Sequence, residues 1–158
     1  MLLPLFTWMG NSALTLFVRD STVWIFAFVQ VLHLVSLAVF AGGVLIVDLR
    51  LLGGGMRDRP IAQVASDARP WLVWGFIGLV VTGVPQLFAN SIKEYYSTYF
   101  WMKMGTLLVA FIFTFTIRRS VAFADESRVR PFQAKLVGIV SIALWAGVAI
   151  MARMIGLS

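Results

Sequence analysis

Long uncharged, apolar stretches dominate the 158-residue chain, and the charged positions gather between them. After the N-terminal segment, four long stretches contain no charged residue: 21–47, 70–92, 104–117 and 136–152. A helix needs about 20 apolar residues to cross the roughly 30 Å hydrocarbon core of a bilayer. The first two stretches are long enough as they stand. The third reaches this length by including Lys103, and the fourth by including Lys135 and Arg153 near its ends.

This pattern predicts transmembrane helices at about 22–47, 70–90, 99–117 and 132–155. The predicted fold class is all-α: a polytopic membrane protein forming an antiparallel four-transmembrane-helix bundle, with residues 1–158 in a single domain. The apolar segment 2–18 contains Pro4, Gly10 and Asn11, and no basic residue precedes it as in a signal peptide. We therefore expect it to form a short N-terminal helix in the membrane interface.

Composition excludes a soluble protein. Hydrophobic residues make up 60% of the chain and charged residues 13%, whereas a soluble domain is about half apolar and about a quarter charged. The absence of cysteine excludes disulfides, thiolate metal sites and cysteine nucleophiles. The net charge of +6 lies mainly in the connections between spans, so the expected partner is the lipid bilayer and not a nucleic acid.

The basic residues predict the orientation. Nine of them fall in the first and third connections between spans: Arg50, Arg57, Arg59, Arg69, Arg118, Arg119, Arg128, Arg130 and Lys135. Three fall on the other side: Arg19, Lys93 and Arg153. The positive-inside rule places the richer side in the cytoplasm and both chain termini outside, in a bacterial inner membrane.

His33 is the only histidine and lies near the middle of the first predicted span. Gln30 and Ser36 lie three residues on either side of it, so we expect one polar stripe that faces the bundle interior. Ionisable groups at membrane depth are costly and are candidates for function. Two interpretations stay open: a buried neutral histidine bonded to its neighbours, or a histidine that binds a ligand or handles protons.

Cations are expected near the outer ends of the spans. Lys103, Arg153 and Arg19 would together suit a hydrophobic ligand with carboxylates at its outer end. Each of them alone is equally well explained as an anchor that reaches the interface.

Asp48 and Arg50 at the inner end of the first span are expected to form a structural ion pair. They could pair with each other, or with Arg69, Arg118 or Arg119. In the second span, Pro85 predicts a kink with Thr82 and Gln86 beside it. Trp145 lies deeper than the other tryptophans and is expected in the core or against a ligand.

One histidine without cysteines or an acidic cluster argues against a zinc or di-iron site within one chain. Haem remains, because one protein histidine suffices when a methionine, a lysine or an open position completes the iron. Copper bound by methionine and histidine is a weaker alternative.

Several segments resemble a large group of uncharacterised small bacterial four-helix membrane proteins: 29–34 (VQVLHL), 40–43 (FAGG), 48–53 (DLRLLG) and 100–104 (FWMKM). A more distant resemblance is to the HemJ-type protoporphyrinogen oxidases and the copper resistance D membrane proteins. The former bind haem b through a first-helix histidine and use a lysine at the start of a later helix. The resemblance implies these roles for His33 and Lys103. Copper resistance relatives carry further histidines, which this chain lacks.

The leading expectation is a small membrane protein that binds haem b and takes part in redox chemistry with a quinone or a porphyrin. His33 would be the metal ligand, Lys103 and Arg153 would hold the propionates, and Gln30 and Ser36 would lie beside them. The alternatives are a non-enzymatic oligomeric scaffold or accessory subunit, and a channel or transporter for a small solute. A homo-oligomer is expected because five residues offer more surface than one bundle buries: Phe76, Gly78, Phe111, Phe113 and Phe115.

Overall fold

A computed structural model describes residues 2–13, 15–16, 23–55, 58–124 and 130–157. The helices are α1 (Leu3–Gly10), α2 (Val23–Leu51), α3 (Ile61–Ala89), α4 (Ser91–Tyr96), α5 (Thr98–Ala122) and α6 (Pro131–Leu157). Of these, α2, α3, α5 and α6 are long and apolar enough to cross a membrane. The predicted all-α, four-helix membrane fold class is confirmed.

The four long helices alternate in direction. The most extensive packing joins α2 to α3 and α5 to α6, and α2 also packs against α6. One end of the bundle carries the connections 52–60 and 123–130, and we call it the basic end. Its described cations are Arg50, Arg59, Arg69, Arg118, Arg119, Arg130 and Lys135. The other end holds α1 and α4, and we call it the α1 end.

Helices α2, α3 and α5 extend beyond their predicted spans at the basic end, and α2 does so by four residues, to Leu51. Helix α3 begins at Ile61, nine residues before the predicted start, and α5 continues to Ala122, five residues past the predicted end. At 1.5 Å per residue, α3 is about 43 Å long, so it exceeds the roughly 30 Å hydrocarbon core and its first turns project beyond it. The charges at 67 and 69 therefore mark the edge of the membrane and not the start of the helix.

The N-terminal segment is not the single helix predicted for 2–18. Helix α1 ends at Gly10, and the Ser12 hydroxyl then accepts a hydrogen bond from the Thr15 amide at 3.3 Å. Residues 14, 17 and 18 lie outside the described part of the chain. Eight residues span about 12 Å, so α1 is too short to cross a bilayer. Phe6 packs against Tyr95 at the α1 end, with 5.2 Å between ring centroids.

Gly53 ends α2 and turns the chain toward α3. Its φ of 81° lies in the left-handed region, which costs glycine little. The Gly53 and Gly54 amides donate to the carbonyls of Arg50 and Leu49 at 3.0 and 2.9 Å. These two bonds form a Schellman motif, which satisfies the last carbonyls of the helix.

Glycines bring α2 and α3 into backbone contact. The facing residues are His33, Ser36, Phe40 and Gly43 on α2, and Gly83, Gly78, Gly75 and Leu72 on α3. A Cβ added at Gly75 would lie 2.8 Å from the backbone nitrogen of Phe40, and one at Gly78 would overlap the Ser36 hydroxyl. Small residues at such an interface let dispersion forces hold membrane helices together where the hydrophobic effect is weak.

This packing corrects the surface argument for a homo-oligomer. Gly78 lies inside the α2–α3 interface, Phe113 packs on the hydrophobic core, and Phe111 contacts Trp145. These three residues are half-buried by contacts within the chain, whereas Phe76, also in the predicted set, is 37% exposed. Phe115 stays 61% exposed. A homo-oligomer stays a prediction.

A closed ring of aromatic side chains crosses the middle of the bundle, and each long helix contributes one member. Phe40 contacts Phe76 and Trp145, with centroid distances of 6.5 and 4.8 Å. Phe111 completes the ring, at 5.2 Å from Phe76 and 5.6 Å from Trp145. The ring separates the polar side chains of the α1 end from those of the basic end.

Candidate functional site

Helix packing places His33 against α3, on the α1 side of the aromatic ring. Its Nδ1 lies 2.8 Å from the Thr82 hydroxyl oxygen, and the Thr82 hydroxyl lies 2.6 Å from the Gly78 carbonyl oxygen. The hydroxyl has one hydrogen, which it donates to the carbonyl one turn back in its own helix. Nδ1 must then carry a hydrogen and donate it to Thr82. The unprotonated nitrogen of the neutral ring is therefore Nε2.

This arrangement is the one that orients histidine ligands in metal sites. Such a histidine donates one ring N–H to a nearby oxygen, which fixes the tautomer and leaves the other nitrogen for the metal. His33 is half-buried, and no hydrogen bond to Nε2 occurs within the described ranges. Thr82 was predicted only as a neighbour of the Pro85 kink, so the sequence did not identify it as the partner of His33.

The predicted polar stripe only partly faces the interior. Ser36 faces α3 and donates to the Leu32 carbonyl in its own helix at 2.8 Å, whereas Gln30 is exposed. Positions three apart on a helix differ by about 60°, so the three residues span about 120°. The expectation that all three face the bundle interior is therefore wrong for Gln30, because this arc is wider than the contact with α3.

Lys103 is a predicted cation that the structure places within electrostatic range of His33. It is close enough for an electrostatic interaction with the imidazole, and its ammonium lies 5.5 Å from the Phe100 ring centroid. Burial raises the pKa of Glu94, on α4, above its usual range, and the charges of Lys103 and Lys93 act in the opposite direction. The Lys103 charge therefore acts on both Glu94 and His33.

The other two predicted cations are less informative. Arg153 lies near the end of α6, which points to the α1 end, and its side chain is exposed. Within the described part of the chain it forms no ion pair or hydrogen bond with His33 or Lys103. Arg19 lies outside the described residues.

A second polar cluster lies on the basic side of the aromatic ring. Asp48 is 0% exposed, and its Oδ1 accepts a hydrogen bond from Arg118 Nε at 2.6 Å. Its Oδ2 accepts one from the Ser141 hydroxyl at 2.6 Å, and Arg118 Nη2 donates to the Val44 carbonyl at 3.0 Å. Of the partners predicted for Asp48, the structure selects Arg118, but it places this residue in α5 and not in a loop. Ser141 was not predicted.

A π-helical turn at Thr114–Arg118 directs Arg118 inward. The buried residues of α5 in this region recur every four positions, at Ala110, Thr114, Arg118 and Ala122. In a regular α-helix this stripe would rotate by about 40° per step, or about 120° over the three steps. The wider π turn absorbs part of that rotation. Thr114 also accepts a hydrogen bond from the Trp145 indole at 3.2 Å.

Comparison with known proteins gives a family match over almost the whole chain. Residues 5–158 match the family model described as a family of unknown function, DUF6644. The chain belongs to this family. No curated protein and no solved structure matches it.

The DUF6644 match covers all four long helices and both polar clusters, and it assigns them no activity. Among the described residues of this DUF6644 chain, no group of three or more His, Cys, Asp or Glu side chains could hold a metal ion. A metal near Thr82 on the α1 side of the aromatic ring would therefore bind through His33, without a cluster of further His, Cys, Asp or Glu ligands among the described residues.

Proposed function

We propose that this chain is a haem-b-type membrane protein in which His33 Nε2 would bind the iron. The observation that carries the proposal is the hydrogen bond from His33 Nδ1 to Thr82, because it holds the ring in the tautomer that a metal requires. Haem iron exchanges single electrons when bound, so the chain would serve membrane redox chemistry with a quinone or a porphyrin.

The surroundings of His33 define where such a group fits. Glycine contacts between α2 and α3 and the aromatic ring fill the core beside it, so one chain does not enclose a porphyrin. The half-buried imidazole fits a group that lies against the outside of the bundle. A second copy of the chain would cover that group, which supports a homo-oligomer on new grounds and would supply a second His33.

The cations would act on the carboxylates of the porphyrin. Lys103, within electrostatic range of His33, would neutralise one propionate, and Arg153 at the same end would neutralise the other. Gln30 is exposed and would be available as a hydrogen-bond donor, whereas Ser36 uses its hydrogen within α2.

The absorption spectrum of protein purified from haem-replete cells tests the proposal. We expect a Soret band that His33→Ala abolishes, while Ser36→Ala on the same helix face retains it. Thr82→Val removes the acceptor for Nδ1 and should weaken haem affinity about 10- to 100-fold, the usual effect of losing such a partner. Lys103→Met should weaken haem retention but leave the band position unchanged.

Each of these measurements needs a folding control, which thermal unfolding of the variants in detergent provides. Wild-type protein that is colourless and binds no added hemin would refute the haem proposal. A purely monomeric mass for haem-loaded protein would refute the shared site, since a second copy is needed to cover the porphyrin.

A scaffold or accessory subunit is the second candidate function, and the filled core favours it. The aromatic ring and the α2–α3 contacts pack the four long helices against one another. A conducting pathway through one chain would have to pass between the four ring members, so a channel receives no support from this packing.

We also propose that the basic end faces the cytoplasm of a bacterial inner membrane, with both chain termini outside. The nine-to-three distribution of basic residues supports this orientation. A reporter at the C-terminus should be external, and reporters inserted at Gly54 or within 125–129 should be cytoplasmic. A cytoplasmic C-terminus together with an external reporter at Gly54 would show that the orientation is reversed.

A further inference from the structure

A groove of about 380 Å³ runs between α2 and α3 on the basic side of the bundle, and the buried core residues Val64 and Ala68 line part of it. Its walls are mostly apolar and include the small residues Ala38, Gly42 and Ala68 and the ring of Trp71. The volume is within the range of small-molecule sites, about 300–1,000 Å³. Because the groove lies on the outer surface of helices that can span a membrane, its natural occupant is a component of the bilayer.

Two opposite charges lie at the mouth of this groove. Arg59 Nη1 lies 3.5 Å from Asp67 Oδ2, and the two side chains are 58% and 59% exposed. Both lie where α3 projects beyond the hydrocarbon core, while Trp71 lies one turn further in, as aromatic residues do at a membrane interface. The charges are therefore at the level of lipid headgroups, and the apolar walls are at the level of the acyl chains.

We propose that this groove binds one phospholipid whose headgroup carries both a phosphate and a primary ammonium, as phosphatidylethanolamine does. The phosphate pairs with Arg59, the ammonium pairs with Asp67, and an acyl chain lies along Gly42. Guanidinium and carboxylate groups form strong charge-assisted hydrogen bonds with these two partners. The phosphate of an anionic lipid would pair with Arg59 but bring no cation for Asp67, and an uncharged quinone would bring a partner for neither charge.

Gly42 offers a way to fill the groove without disturbing the protein. A Cβ at Gly42 would meet no atom within 4 Å, and the same holds for Gly105 on α5. Leucine at either position also replaces glycine by a better helix former, so both changes affect the helix backbone in the same way. Gly42→Leu places a side chain in the groove, and Gly105→Leu is its matched control.

The experiment titrates delipidated protein in mild detergent with phosphatidylethanolamine or phosphatidylglycerol and counts bound lipids by native mass spectrometry. We expect one phosphatidylethanolamine molecule to bind per chain. Its affinity should be about tenfold higher than that of phosphatidylglycerol, because it gains one charge-assisted hydrogen bond. Gly42→Leu should lose this binding, and Gly105→Leu should keep it. Asp67→Asn should remove the preference for phosphatidylethanolamine, since the carboxylate that selects the ammonium is gone.

The proposal is wrong if phosphatidylglycerol or an added quinone binds better than phosphatidylethanolamine to the wild-type protein. Equal loss of lipid from the Gly42→Leu and Gly105→Leu variants would also overturn it, because the groove would then make no special contribution. The result does not depend on haem, since lipid binding is counted by mass in His33→Ala protein as well.

Discussion

Replacing Arg118 with methionine should lower the free energy of unfolding by about 3–5 kcal/mol, because it leaves a buried carboxylate without its counter-ion. Asp48 is fully buried, and Arg118 supplies the hydrogen bond to one of its two oxygens. The measurement is chemical or thermal unfolding of the purified protein in one detergent. Arg119→Met is the matched control, since it removes the same charge from the next position, where the side chain is exposed.

Two further variants separate the charge from the packing. The double variant Asp48→Leu with Arg118→Met removes both charges and should recover most of the stability, as apolar replacements of buried ion pairs often do. Ser141→Ala deprives the second Asp48 oxygen of its donor and should cost about 1–3 kcal/mol. If the Arg118→Met variant is no less stable than Arg119→Met, the Asp48–Arg118 ion pair does not hold α2 and α5 together.

Adding one methyl group at Gly75 should destabilise the bundle, whereas the same change at Gly105 should stabilise it. At Gly75 the new Cβ would lie 2.8–2.9 Å from the backbone of Phe40, which cannot move aside as a flexible side chain can. Overpacking of this kind costs about 1–3 kcal/mol, and occasionally more. At Gly105 no atom lies within 4 Å, so Ala in place of Gly gains about 1 kcal/mol of helix propensity.

Because the two substitutions should change the stability in opposite directions, the comparison separates overpacking at Gly75 from the general effect of replacing a glycine. Gly75→Ala should also lengthen the distance between α2 and α3 at His33, and a weaker haem affinity in that variant would follow from loss of the Thr82 contact. Stabilisation by both substitutions would show that α2 and α3 are further apart than the backbone contacts indicate.

The long helices could be predicted from the sequence because each contains an apolar stretch that only a membrane or a buried core accommodates. The ends of these helices at the basic end could not be predicted, because charged residues were interpreted as the ends of the spans. Arg118 is the clearest case: its charge indicated a loop, yet it lies inside α5 because Asp48, 70 residues away in sequence, neutralises it. No local pattern reports such a pairing.

The candidate site was predictable to a similar degree. His33 was identified from its depth alone, but its partner Thr82 is 49 residues away on a different helix. The glycines at 75, 78 and 83 were an available signal, since their spacing places them along one side of α3 and small residues mark close helix contacts. The tautomer of His33 depends on which oxygen accepts from Nδ1, and this is a property of the assembled pair of helices.

The long sequence separation within the Asp48 cluster sets an order on the assembly of the protein. Synthesis proceeds at about 5–20 residues per second, so Arg118 leaves the ribosome about 4–14 s after Asp48, and Ser141 follows later still. Helices α2 and α3 can pair through their glycines during this interval, while the carboxylate has neither of its two donors. A nascent chain that stalls before residue 118 would therefore carry the Asp48 carboxylate without either of its side-chain donors.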